Sequence, residues 1–304
     1  MRLGVLDVGS NTIHLQVVDA HLGGPPIPNS SYKSVIKLTE YLDANGAISD
    51  AGISAITDSI QKNMAAAQHL NTDELLAFAT SAIREAVNSD EVIAHVNEAC
   101  GIDLQVLTGE EEARFTFLAA RRWLGWSAGD LLVLDIGGGS LEVARGSEEE
   151  PSFKSSMQLG AGRLTRNFLK GDPFTAKSLK SLDEHIEEHL EPLTRSLATF
   201  EKNTATGTSK TFRTLAKLSQ FAYPKNGHHL TLDSIETVTP KLQELSLDER
   251  RELPGVSNER AHQLVAGAMV ARQLMRTLKL QEIHICPWAL REGIVLHRLD
   301  WIER

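Results

Sequence analysis

Two glycine turns constrain this chain more than anything else in it: Asp7-Val8-Gly9-Ser10-Asn11-Thr12 and Asp135-Ile136-Gly137-Gly138-Gly139-Ser140. Each follows an apolar run that reads as a strand, opens on an aspartate and closes on hydroxyl or amide residues. A dinucleotide-binding loop needs G-x-G-x-x-G opening a helix. Here Leu141-Glu142-Val143-Ala144 follows instead, alternating as a strand does. The turn therefore joins two strands of a hairpin, where glycines let backbone N–H groups approach an anion closely. Gly137, Gly138, Gly139 and Ser140 can grip phosphate in this way, and so can Gly9, Ser10, Asn11 and Thr12. One such turn reads equally well as an ordinary tight hairpin. Two of them, 128 positions apart, predict a duplicated phosphate grip with a cleft between the halves.

The pattern around the turns repeats. Strands are predicted at 2–8, 12–20 and 31–38, with Gly23-Gly24-Pro25-Pro26 breaking the second from the third. A helix capped by Ser49 follows to about residue 70, then a strand at 74–79, a helix at 89–100, a strand at 103–107 and a helix at 110–123. The second half repeats this order, with strands at 131–135, 141–144 and 153–159. Helices are predicted at 164–169 and 175–200, a strand at 204–206 and a helix at 210–221. Helices at 234–245 and 258–278, a strand at 282–286 and a helix at 290–301 complete the chain. This is an α/β layout of mixed sheets flanked by helices.

The 304 residues suit two domains, expected at 1–123 and 124–304, with the helix 290–304 a candidate to pack back on the first. A hydrophobic fraction of 41% and a charged fraction of 23% are those of a soluble globular protein. No run approaches the ~18 apolar residues of a membrane span. The chain enters a strand at once, without a signal-peptide pattern. Cys100 and Cys286 form no CxxC, which suits a reduced, cytoplasmic protein. The net charge of −9 is uneven: residues 1–150 carry −13, residues 151–230 carry +5 and residues 231–304 carry −1. The basic segment is either a solvated surface or a track for an anionic substrate. Low aromatic content and the acidic balance argue against nucleic acid as a partner. Trp123 and Trp126 read as packing residues.

Several carboxylates accompany the turns. Asp7 and Asp135 end equivalent strands, and Glu142 lies two positions past Ser140, where alternation returns its side chain to one face. Acids clustered beside phosphate loops point to a divalent metal, since Mg²⁺ takes one or two carboxylates plus phosphate oxygens. In Gly109-Glu110-Glu111-Glu112, the first two glutamates suit a helix N-terminus, and Glu112 is a candidate base on water. Thr80, Ser81 and Arg84, just past a strand, suit phosphate binding or a plain helix cap. The same choice holds for Thr206-Gly207-Thr208-Ser209-Lys210, ahead of a helix carrying Arg213. His228-His229 lacks a third ligand at metal spacing.

Together these motifs resemble the exopolyphosphatase and guanosine pentaphosphate phosphohydrolase (Ppx/GppA) family, within the group of actin, sugar kinases and the heat-shock chaperone ATPase. The matching residues are Asp7 to Thr12, Ala79 to Arg84, Gly109 to Arg114, Asp135 to Glu142, Gly207-Thr208 and Leu290-Arg291-Glu292-Gly293, in family order. The resemblance implies two RNase H-like lobes around an active-site cleft. It implies Mg²⁺-dependent release of terminal orthophosphate from inorganic polyphosphate, with K⁺ as a further candidate cofactor and a homodimer as the assembly. It makes Glu112 the residue that activates water, assigns Asp135 and Glu142 to metal and catalysis, and gives Arg84 a phosphate; Asp7 is a further candidate for the metal. Arg163, Arg166, Lys210 and Arg213 become candidates for holding the rest of the chain. The chain resembles the short, two-lobe form, which favours short polyphosphates. The rival readings are pppGpp hydrolysis, a phosphotransferase and a non-catalytic actin-like nucleotide-binding protein.

Overall fold

A computed structural model describes residues 1–197, 204–222 and 229–302. The chain forms two compact units, one of Met1–Phe115 with Leu290–Arg304 and one of Thr116–Ala289.

In the first unit β1 (Arg2–Val8), β2 (Thr12–Asp19) and β3 (Ile27–Val35) make an antiparallel meander. β4 (Glu74–Ala79) lies parallel to β1, and β5 (Leu104–Val106) parallel to β4, giving the order β3-β2-β1-β4-β5. Between them run α1 (Asp50–His69), α2 (Ser81–Arg84), α3 (Ser89–Cys100) and the start of α4 (Gly109–Leu124). Ser49 caps α1 by accepting from the Gly52 N–H, and α3 stops at Gly101, whose φ of 64° a side chain would resist.

The second unit repeats the plan. β6 (Leu131–Ile136), β7 (Leu141–Gly146) and β8 (Phe153–Met157) form the meander, and β9 (Thr204–Gly207) lies parallel to β6. β10 (His229–Thr231) and β11 (Glu282–Ile285) extend the sheet to β10-β11-β9-β6-β7-β8. Its helices are α5 (Ala161–Phe168), α6 (Ala176–Ser196), α7 (Lys210–Ala222), α8 (Leu232–Glu244), α9 (Leu247–Arg251), α10 (Asn258–Ala261) and α11 (Leu264–Thr277). The last helix, α12 (Leu290–Ile302), belongs to the first unit. Two mixed sheets flanked by helices are thus the architecture, each led by a three-stranded meander with a parallel strand beside its first member.

Strand alternation decides which side chains meet. On β1, Leu6 and Val8 join Ile53, Ile56 and Ile60 of α1 in one core, while Leu3 and Val5 join Ile294, Val295 and Leu299 of α12 in another. Asp7 shares the parity of Leu3 and Val5 and so points to the α12 side. On β6, Leu132, Leu134 and Ile136 enter the core of the second unit, which puts Asp135 on the opposite face.

Several expectations shift. The third strand begins earlier and ends at Val35, because Lys37 takes a left-handed turn with φ 47° into a short 3-10 helix, Leu38–Tyr41. The single helix expected at 258–278 is two, interrupted at His262 and the buried Gln263. β10 and α9 are too short to leave a periodic signal. The helix end at 200 and His228 lie outside the described residues. Trp123 and Trp126 are 48% and 62% exposed, so they do not serve as core. Trp123 instead rests its ring against Trp288, and Trp126 lies over the buried Arg121. That guanidinium binds main-chain carbonyls, Gly146 at 2.7 Å and Gly129 at 2.8 Å among them, tying the start of the unit to the end of β7.

α12 packs so closely that a Cβ on Gly293 would sit 1.9 Å from the Phe115 carbonyl oxygen of α4. Backbone cannot give way as a flexible side chain does. Gly293→Ala is expected to lower unfolding free energy by about 1–3 kcal/mol, read from urea denaturation at unchanged m-value.

Candidate active site

The duplicated turns have the same backbone. The Gly9 N–H donates to the Thr12 carbonyl at 3.0 Å, and the Gly137 N–H donates to the Ser140 carbonyl at 2.9 Å. Each bond closes the hairpin and leaves the intervening peptides as the loop. In each unit the aspartate is the penultimate residue of the leading strand.

The side chains differ. In the second unit Asp135 stands directly opposite Glu142, and Glu142 directly opposite Ser156. The Thr208 hydroxyl donates to Asp135 Oδ2 at 2.5 Å, and the Ser156 hydroxyl to Glu142 Oε1 at 2.9 Å. Two carboxylates therefore lie side by side, each steadied by a hydroxyl on its outer flank. Glu142, Ser140 and Thr208 are buried. In the first unit the corresponding partner of Asp7 is His14, whose ring bonds the Ser31 hydroxyl. Asp7 has Arg291 and Glu292 of α12 as its charged neighbours. Burial pushes its carboxyl above the ordinary value, Arg291 pulls it down, and Glu292 pushes it up.

The three consecutive glutamates divide their work by helical geometry. The Thr108 N–H and hydroxyl both donate to Glu111 Oε2 at 2.8 Å, and the Glu111 N–H donates back to the Thr108 hydroxyl at 3.2 Å. Glu111 thus caps α4. Glu112, about 100° further round the helix, is buried and accepts from Arg84 Nη1, which also donates to the Leu107 carbonyl at 2.6 Å. Arg84 and Glu112 therefore form one charged pair at the ends of β4 and β5. Thr80 makes no side-chain cap on α2, although it precedes it.

The expected basic track is less uniform. Arg166 and Lys210 are exposed. Arg163 donates from Nε to the Gly139 carbonyl at 2.8 Å, and Arg213 donates to the Pro287 carbonyl. Arg213 Nε is buried without a protein acceptor. Arg260 escaped the sequence reading of the site, and Arg291 entered it only as part of the matching motif, without a role. Arg260 lies within electrostatic reach of Asp135 and Arg213; burial holds its guanidinium below the ordinary value, and Asp135 raises it. Nothing marked it in sequence, because it sits in an unremarkable helical stretch. Ser156 was missed as well, though a serine on the strand paired with Glu142 was a signal that the register alone makes readable.

Among the described residues no three His, Cys, Asp or Glu side chains gather as a metal cage. The pair Asp135 and Glu142 nonetheless fits Mg²⁺, which needs only one or two carboxylates beside water and phosphate oxygens. Like charges placed opposite one another across a ladder also repel, a cost that a cation relieves. No helix among the described residues is long and apolar enough to cross a membrane.

The architecture defines a two-unit RNase H-like protein of the actin and sugar kinase type. The family model for the Ppx/GppA phosphatase family matches residues 17–301, and the chain belongs to that family. Exopolyphosphatase 1 of Mycobacterium tuberculosis is 47% identical over 305 residues, spanning 99% of this chain and 89% of that protein. Among solved structures, an exopolyphosphatase from Cytophaga hutchinsonii superposes with a TM-score of 0.88 at 25% identity, over 99% of this chain and 98% of that one. The Aquifex aeolicus member of the Ppx/GppA family superposes at 0.84 with 24% identity, over 100% and 99% of the two chains, and speaks to the fold.

Desolvation of the half-buried Asp7 carries a cost to the fold. A carboxyl whose folded pKa lies above its unfolded one destabilises the fold as pH rises through that interval, and fully so above it. In chelator-treated protein Asp7→Asn is expected to raise Tm at pH 7.5. The two melting curves should converge as pH falls toward about 4. A lower Tm for the variant at pH 7.5 would contradict the assignment.

Proposed function

We propose that this protein is an exopolyphosphatase, a hydrolase that releases terminal orthophosphate from inorganic polyphosphate. The observation that carries this reading is the 47% identity to exopolyphosphatase 1 of Mycobacterium tuberculosis along 99% of the chain. The pairing of Arg84 with Glu112 and of Asp135 with Glu142 supports it.

Phosphoryl transfer to water asks for positioning and charge neutralisation more than for covalent chemistry. Backbone amides of the turns at Gly9, Ser10, Asn11 and Thr12 and at Gly137, Gly138, Gly139 and Ser140 bind phosphate oxygens. Arg84 has five N–H donors in a fork, so Nη1 can stay on Glu112 while others bind phosphate. This links the base to the group that the water attacks. Glu112 orients the water and accepts its proton. Its burial keeps competing solvent away from that carboxylate. Metal dependence goes with the family; Mg²⁺ is our choice, held by Asp135 and Glu142 with Asp7 as a further candidate. When bound it supplies charge neutralisation to the phosphate oxygens. Thr208 and Ser156 hold the two carboxylates in orientation for it. Arg213, whose Nε is buried without a protein acceptor, is the strongest candidate to hold the rest of the substrate, with Arg166 and Lys210 at the exposed side.

Cys100 and Cys286 are both buried, which goes with the cytoplasmic location we propose. The homodimer belongs to the same reading and is checked by sedimentation equilibrium.

Glu112→Ala is expected to lower turnover by ~10²-fold or more while substrate still binds, measured as phosphate release and as binding of a long polyphosphate. Near-normal turnover removes Glu112 from this role. Phosphate release from polyphosphate should exceed release from pppGpp when the two are assayed side by side, and it should stop on chelation and return with Mg²⁺. Omission of K⁺ tests the monovalent requirement. Faster release from pppGpp would favour the second activity of the family.

A further inference from the structure

Each phosphate turn is backed by the segment that follows the third strand of its meander. In the second unit the carbonyls of three consecutive glycines are taken up by residues 160–163. The Ala161 N–H donates to Gly137 O at 3.0 Å, the Arg163 N–H to Gly138 O at 2.9 Å and the Gly160 N–H to Gly139 O at 3.3 Å. The side chain of Arg163 adds Nε to Gly139 O at 2.8 Å. In the first unit the Leu38 N–H donates to Ser10 O at 2.8 Å, and the N–H groups of Ile36 and Lys37 donate to Asn11 O at 2.9 and 3.1 Å.

The consequence follows from peptide geometry. A trans peptide is planar, and its C=O and the next residue's N–H point in opposite directions. Fixing the carbonyls of Gly137, Gly138 and Gly139 toward 160–163 turns the N–H groups of Gly138, Gly139 and Ser140 the other way. The approach is also close. A Cβ on Gly160 would sit 2.2 Å from the Gly139 carbonyl carbon, and one on Gly162 would sit 3.1 Å from the Gly138 oxygen. Residue 160 must therefore lack a side chain for the loop to seat, and residue 162 has little room for one.

We infer that 160–163 is a die that aims the phosphate-binding amides, and that Arg163 is a positioning residue acting through Gly139 rather than a contact for the distal polyphosphate chain. This rests on the exopolyphosphatase reading for the identity of the anion. A guanidinium on a carbonyl stiffens the loop whatever the length of the substrate. A contact to the distal chain matters more as the chain lengthens and as salt falls.

The test compares Arg163→Gln, Arg163→Lys and Gly160→Ala with the wild type in the full chain. Thermal melts establish that each variant folds. The readouts are kcat and KM on triphosphate and on a long polyphosphate at two salt concentrations, and calorimetric titration with inorganic phosphate, which needs no turnover. The expected result is a fall in kcat/KM of about tenfold, the scale of one hydrogen bond to a charged group, equal for both substrates and unaltered by salt. Phosphate binding should weaken in step. Lysine, which keeps the charge and loses the planar fork, should behave as glutamine does. A loss that grows with chain length and is rescued by lysine overturns the inference, and so does unchanged phosphate binding. If the wild type binds phosphate but hydrolyses no polyphosphate, the exopolyphosphatase reading fails and the titration still decides the role of Arg163. If the wild type binds no phosphate, both fail.

Discussion

The hydrogen bond from a glycine N–H to the carbonyl three residues on sets the rest of this structure. It closes the hairpin at Gly9 and Thr12 and again at Gly137 and Ser140. A closed hairpin has a fixed register, and the register decides which residues face each other across the ladder. Asp135 meets Glu142 because Gly137 bonds Ser140; a slip of one residue would send Glu142 into the core face. The loop geometry and the acid pair are thus one constraint seen from two sides.

The duplication is of backbone, and the chemistry is divided. The same turn carries Asp135 beside Glu142 in one unit and Asp7 beside His14 in the other. One unit has paired carboxylates flanked by hydroxyls. The other has the half-buried Asp7 beside Arg291 and Glu292, together with the Arg84 and Glu112 pair. The paired carboxylates repel and call for a cation. Asp7 bears a desolvation cost that Arg291 offsets in part. A repeated fold offers two equivalent positions, and substitution at one site in each ladder, His14 against Glu142, makes them unequal.

Much of this was readable in sequence, and the failures have physical reasons. The turns, the leading strands and β4 announced themselves through glycine chemistry and apolar runs, and β4 falls at its expected bounds. The preference for Glu112 over Glu111 rests in sequence on the family resemblance; the structure adds the local reason, Thr108 three positions ahead of Glu111 forming the cap. Arg163 was legible only as charge. That its Nε meets a glycine carbonyl depends on the approach of α5 to the loop, which no local pattern encodes. Arg260 and Ser156 were missed for the same reason: each acquires meaning from a neighbour distant in sequence. The break at His262 and Gln263 lacked glycine or proline, so periodicity ran straight through it.

The cap of α4 has one more implication. Thr108 fixes where the helix starts, and each residue after it is turned about 100° from the last. Glu110, Glu111 and Glu112 are chemically identical, so only their count from Thr108 distinguishes the exposed cap from the buried partner of Arg84. Identity at these positions is redundant, whereas length is not. Insertion of a single residue between Thr108 and Glu110 would leave three glutamates in place and rotate the wrong one toward Arg84, and deletion of Gly109 would bring Ala113 there instead. The segment stores its information as a distance along the chain, and a comparison by composition alone would find nothing lost.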